Sequence, residues 1–289
     1  MSFLEKWLNS VRSKDSVLCA GIDPADFEIG RKDESLPADV LKSDWAKMYI
    51  EAVAPFAAAV KPNFHYWKGK PDAETLDAIF HLAGALGLPH IEDSKFADIG
   101  STNDAGMFYA SKRSDAVTIA PYAGNMDEIA KQAKARNLGV FTMCLMTNPQ
   151  YAREKNMLVP VSDEETYHRP DLSLVEGKLF VKRYIQLAHD ASKFGLTGVV
   201  VGAPSADNHI SEQEIEKVAL YIGHDMLVLM PGIGKQKGFA QLHFKYFGKD
   251  RVIANVGRQL MFPNGAQSSP HEQYEAAKRF ASEFNEMRI

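Results

Sequence analysis

At 289 residues the chain can bury a large core, as one α/β barrel or as two average domains. Its 33 basic and 37 acidic residues leave a formal charge of -4, and the basic residues are spread along the chain, so nothing argues for nucleic acid or an anionic membrane as partner. No run approaches the ~20 apolar residues of a membrane span, the N-terminus carries an early acid (Glu5) unlike a secretory signal, and Cys19 and Cys144 lie in separate apolar runs with no C-x-x-C spacing, so a reducing, cytoplasmic setting is expected.

In chain order, residues 5–13 read as a short helix leading into an apolar strand, 16–24, that ends in Asp23-Pro24. A helical stretch over 44–56 precedes a second strand, 57–62, ending in Lys61-Pro62, and a helix over 72–86 precedes the stretch 91–100, whose strand ends at Asp93. Further apolar, β-branched runs follow at 116–121, 139–147, 198–202, 226–232 and 251–257, most of them separated by helix-like segments such as 125–135, 211–221 and 239–247. Most steps between strand ends are roughly 26 to 38 residues, the size of a strand plus a crossover helix. Near-continuous apolar strands alternating with helices predict a parallel sheet covered on both sides, and eight such units predict closure into a single (β/α)8 TIM barrel over 1–289 with an N-terminal helix. An open doubly wound sheet is the alternative, opposed by the lack of G-x-G-x-x-G after the first strand. One step is too long: from Thr147 to Gly202 is 55 residues, and with a helix over 179–194 it leaves 148–177 as a long, charged insertion after strand five, read as a loop on the catalytic face.

The third strand, Ile91-Glu92-Asp93-Ser94-Lys95, sets Asp93 and Lys95 on one face and Glu92 and Ser94 on the other. Alone, an acid and a base at a strand end read equally well as a surface ion pair. Catalytic residues of barrels come from the C-terminal ends of several strands, however, and here three consecutive ends supply Asp23, Lys61, Asp93 and Lys95. Downstream, the glycine-rich stretch Pro231-Gly232-Ile233-Gly234-Lys235-Gln236-Lys237-Gly238 and the pair Gly257-Arg258 follow strands seven and eight, the customary phosphate site of such barrels. Arg258 offers a bidentate contact to an anion. The histidines, among them His65, His168, His209 and His243, show no metal-ligand spacing and read as ordinary surface or helix residues. Asp207 and His209 read equally well as ligand contacts or as a turn before a helix.

At Asp93-x-Lys95-x-x-Asp98-Ile99 the chain resembles the D-x-K-x-x-D-I signature of the orotidine 5′-monophosphate decarboxylase family. The resemblance extends along nearly the whole barrel through Gly21-x-Asp23-Pro24, Lys61, Asp98-Ile99-Gly100-Ser101-Thr102-Asn103, Pro231-Gly232-Ile233-Gly234-x-Gln236 and Val256-Gly257-Arg258. It implies conversion of orotidine 5′-monophosphate (OMP) to UMP and CO2, the last step of UMP biosynthesis, with no cofactor and no metal. In the roles it implies, Lys95 protonates C6, Asp93 lies against the departing carboxylate, and Lys61 continues the charge network. Asp23 and Lys61 would bind the ribose, Thr147 the pyrimidine, and Gln236 and Arg258 the phosphate with backbone amides around Pro231, Gly234 and Gly257. Asp98 and Thr102 would reach into the site of the other subunit, which makes the protein a homodimer. Lys237 stands where many members have glycine, the insertion after Asn148 is absent from compact members, and the surroundings of Lys61 vary. Two rival readings are a metal-dependent sugar-phosphate decarboxylase or aldolase of the same superfamily, which places an acid after strand two where this chain has Lys61, and a non-catalytic nucleotide-binding barrel.

Overall fold

The N-terminal helix exists because its apolar residues recur on one face and its first turn is closed. In α1 (Phe3–Lys14), Phe3, Trp7 and Val11 are buried at four-residue spacing, and Ser2 and Glu5 form a reciprocal capping box. The Trp7 indole N–H donates to the Asp250 carbonyl at 2.7 Å, and Phe3 packs edge-on against Phe141 with ring centroids 5.4 Å apart. This helix plugs the end of the barrel where the strands begin.

The computed structural model describes residues 1–69, 72–161, 167–233 and 239–288. The first half of the barrel alternates β1 (Leu18–Ile22), α2 (Lys42–Val53), β2 (Ala59–Pro62), α3 (Asp72–Ala85), β3 (Ile91–Phe96), α4 (Gly100–Ala110), β4 (Ala116–Ile119), α5 (Met126–Lys134) and β5 (Gly139–Leu145). An insertion follows, with α6 (Tyr151–Glu154), β6 (Leu158–Pro160), β7 (Ser173–Val175) and β8 (Lys178–Lys182). The second half continues with α7 (Arg183–Lys193), β9 (Gly198–Val201), α8 (Glu212–Ile222), β10 (Leu227–Met230), α9 (Gln241–Phe247), β11 (Val252–Val256), α10 (Arg258–Met261) and α11 (Pro270–Met287).

Eight of these strands form one parallel sheet in the order β2-β1-β11-β10-β9-β5-β4-β3. Its two ends meet, since Val60 bridges His90 in parallel and the Val60 N–H donates to the Pro89 carbonyl at 3.0 Å. The predicted (β/α)8 barrel is therefore the observed fold. Strands such as β1, β4, β9 and β10 are buried along their whole length, as a parallel sheet covered on both faces requires.

The insertion departs from its reading as a loop. β6, β8 and β7 form a small antiparallel sheet, and the strand β8 takes Leu179 to Lys182, which the sequence reading gave to the following helix. Val175 pairs with Lys178 across the two-residue turn Glu176-Gly177, both at positive φ (49° and 76°). That is the backbone a tight hairpin needs, and glycine adopts it freely. At its root the insertion is pinned to the barrel: the buried Lys155 ammonium lies 2.6 Å from Glu214 and donates to the His209 carbonyl, while the Tyr151 hydroxyl donates to the Cys144 carbonyl at 2.6 Å.

Candidate active site

A cavity of about 340 Å³ opens where the barrel strands end. Each strand delivers to it the residue that its inward register dictates: Lys61 from β2, Asp93 and Lys95 from β3, Thr118 from β4, and Asn255 from β11, with Asp23 just past β1. On β3 the alternation holds as the sequence implied. Glu92 points the other way and pairs with the Arg113 guanidinium at 2.6 Å, where the Ser94 hydroxyl also bonds it.

Asp93 is the centre of the charge array. Its Oδ2 lies 2.6 Å from the Lys61 ammonium and its Oδ1 2.6 Å from the Lys95 ammonium, and Oδ1 also accepts from the Thr118 hydroxyl at 2.8 Å. Asp93 and Lys61 are buried, while Lys95 remains about one-third exposed to the cavity. Burial by itself would push the Asp93 carboxyl up, but the Lys61 and Lys95 ammonium groups outweigh it and hold the carboxyl well below the usual carboxylate range. Burial likewise opposes the Lys61 charge, yet Asp93 and then Asp23 hold its pKa above the ordinary lysine value. Lys95 sits at φ +50°, a left-handed conformation that costs a non-glycine residue roughly 1 kcal/mol or more.

Asp23 has the opposite character. Burial raises its carboxyl pKa, with Lys61 opposing, and its buried Oδ1 has no hydrogen-bond partner among the described residues. The Asn255 Oδ1, on the adjoining strand, is also buried without a partner. Beneath them, burial pushes the Cys19 thiol up to about 12, so it stays neutral. Two orphaned acceptors facing a cavity are a place for a ligand that donates hydrogen bonds, as sugar hydroxyls do.

The remaining predicted residues fall in three groups. Thr147 and Pro231 line the cavity with Asp23, Lys61, Asp93 and Lys95. Gly257 and Arg258 lie just past Asn255, but Arg258 is turned onto Glu34, its guanidinium 2.9 Å from that carboxylate. Asp98 and Thr102 are exposed, and among the described residues neither is hydrogen-bonded or ion-paired to Lys95; Asp98 accepts from the Ile99 N–H at 2.8 Å. Gly234 and Gln236, with Lys235 and Lys237, lie outside the described residues. His209 belongs to the turn before α8, where its Nε2 meets the Asn148 carbonyl at 3.0 Å. Among the described residues no three of His, Cys, Asp and Glu are grouped so as to hold a metal ion.

Sequence reasoning missed Thr118, Asn63 and Asn255. The signal was present for two of them, as a single polar residue at an inward position of an otherwise apolar strand, Ala-Val-Thr-Ile and Val-Ile-Ala-Asn-Val.

The family model described as "Orotidine 5'-phosphate decarboxylase / HUMPS family" matches residues 16–262, the whole barrel from β1 through α10. The chain belongs to this family. Curated relatives named orotidine 5'-phosphate decarboxylase include one from Halorubrum lacusprofundi, 28% identical over the full length of both chains, and one from Cupriavidus necator, 29% identical over 97% of this chain and 99% of the relative. A solved structure of Leishmania donovani OMP decarboxylase superposes with a TM-score of 0.73 over 100% of this chain and 99% of that one, at 24% identity, a likeness in fold. In this OMP decarboxylase-related barrel, no described helix is long and apolar enough to cross a membrane.

Proposed function

We propose that the protein decarboxylates OMP to UMP and CO2 without a cofactor, with Lys95 as the proton donor to C6. The observation that carries this reading is the array Lys61–Asp93–Lys95, two ammonium groups 2.6 Å from one buried carboxylate at the cavity wall. When the C6–carboxylate bond breaks, its electron pair stays on C6 in an in-plane sp2 orbital that cannot delocalise into the ring π system. Fixed charge must stabilise it, and an ammonium aimed at C6 supplies both the charge and the proton. The pair becomes the C6–H bond, CO2 leaves, and the neutral lysine amine recovers its proton from water. Two charges ~4 Å apart at an effective dielectric near 20 interact by roughly 4 kcal/mol, about three powers of ten in rate if the interaction appears only in the transition state.

Asp93 keeps the Lys61 ammonium charged, pairs with that of Lys95 and faces the substrate carboxylate. Asp23 and Lys61 take the ribose, Thr147 the pyrimidine, and Arg258 and Gln236 with the backbone near Pro231, Gly234 and Gly257 the phosphate. Phosphate binding far from C6 contributes to kcat by holding the ring in place. A divalent cation of the kind used by sugar-phosphate relatives is disfavoured where Lys61 puts a buried positive charge against Asp93.

The site is completed in a homodimer by Asp98 and Thr102 of the partner. Supporting this, both are exposed in a segment that also exposes large apolar side chains: Ile99 and Tyr109 are 58% and 65% exposed, and Thr102 and Tyr109, seven apart on α4, share a helix face. The test is to follow loss of OMP absorbance in excess EDTA, and in D2O to locate deuterium in the product. Turnover undiminished by EDTA with deuterium at C6 of UMP is expected. Turnover abolished by EDTA would instead favour the metal-dependent reading, and tight UMP binding with no turnover the non-catalytic one.

A further inference from the structure

The pairing of β3 with β4 is irregular just where the lysine sits. Glu92 pairs with Val117 and Phe96 with Ile119, so Asp93, Ser94 and Lys95 together stand opposite the single residue Thr118. Extra residues in one strand leave ladder groups without their regular partners and re-aim the side chains of the bulged strand. Here the left-handed Lys95 gives up its place in the ladder, and its backbone N–H donates instead to the Thr118 hydroxyl oxygen at 3.0 Å. The same hydroxyl donates its proton to Asp93 Oδ1 at 2.8 Å, and that oxygen accepts from the Lys95 ammonium at 2.6 Å. Both ends of Lys95 are thus closed into one ring through the hydroxyl of a single threonine, a residue that is 1% exposed.

We propose that Thr118 is a positioning residue for the decarboxylation, holding the β3 bulge that aims Lys95 and fixing the Asp93 oxygen that orients its ammonium. This rests on the functional reading given above. A hydroxyl is needed because the position must accept from one group and donate to another at once, which neither a methyl nor a backbone carbonyl can do. Thr118 does not touch the reacting atoms. Its removal therefore alters where the proton donor lies and leaves the contacts to ribose, pyrimidine and phosphate in place.

Thr118→Val keeps the shape and removes the hydroxyl; Thr118→Ser keeps the hydroxyl and removes the methyl. The expected result is a kcat for Thr118→Val lower by about 10- to 100-fold, UMP affinity within about twofold of wild type, and most of the kcat regained in Thr118→Ser. Hydrogen exchange of the Lys95 amide, which needs neither turnover nor substrate, is expected to be protected in wild type and Thr118→Ser and to speed up at least tenfold in Thr118→Val or, where that variant folds poorly, in Thr118→Ala. An unchanged kcat in Thr118→Val, a serine variant as slow as the valine one, or an unaltered Lys95 amide would overturn the proposal. If wild type does not decarboxylate OMP the functional reading fails, and the amide exchange still decides whether Thr118 holds the bulge.

Discussion

Replacing Asp93 by Asn would leave the buried Lys61 ammonium without its nearest counter-charge, and breaking a buried pair from one side costs roughly 3 kcal/mol or more. The pH dependence follows from the directions of the shifts. Asp93 has a lowered folded-state pKa, so its contribution is present above the unfolded carboxylate value and is lost as pH falls through the folded one. Lys61 has a raised pKa, so its contribution is complete below the unfolded lysine value and is lost as pH rises through the folded one. Thermal melts of Asp93→Asn against wild type should therefore show a constant deficit from about pH 5 to 9 that shrinks in acid. Asp23 has the opposite sign. Its pKa is raised by burial, so its charged form weighs against folding at neutral pH and stops doing so as pH falls below the ordinary carboxylate range. Asp23→Asn should raise Tm at pH 7, lose that advantage near pH 4, and raise KM for OMP; a lower Tm at pH 7 would contradict the assignment. The titratable members of the site were legible because charge is rare at inward strand positions. Thr118 and Asn255 were not, because threonine and asparagine carry no charge to mark them, and the need for them arises from a bulge and a cavity that only the folded chain displays.

Elements with strong periodicity, such as α1, α8 and the buried strands, were readable along the chain to within a residue or two. The insertion was not. Its strands are three to five residues long and largely exposed, so neither continuous burial nor clean alternation marks them, and only the Glu176-Gly177 turn points to a hairpin. What ties this element to catalysis is its root, next to Thr147 and Asn148 on the cavity wall. Lys155 is 4% exposed and holds α6 to α8 through Glu214. Lys155→Ala should destabilise the protein by about 3 kcal/mol, read by denaturant melts, and raise KM for OMP more than it lowers kcat. A surface-like loss below about 0.5 kcal/mol would show that the root is not anchored this way.

At the scale of the molecule, the barrel was legible because eight near-continuous apolar strands leave few other ways to be buried, whereas the partner proposed to complete the site would leave only indirect marks in one chain, such as an exposed Asp98 beside an exposed Ile99. If Asp98 acts across a dimer, Lys95→Ala and Asp98→Ala chains are each nearly inactive but complement one another. Mixed by unfolding and refolding together, they should regain about a quarter of wild-type activity, since half the random dimers are mixed and each of those has one intact site. Activity that stays at the level of the separate variants would place Asp98 in its own chain's site or outside catalysis. The central claim, that Lys95 delivers the proton to C6, is tested most directly by the kcat of Lys95→Ala for OMP measured beside its affinity for UMP. The account predicts a fall in kcat of at least about 10³-fold with UMP still bound; a variant that turns over at the wild-type rate would contradict it.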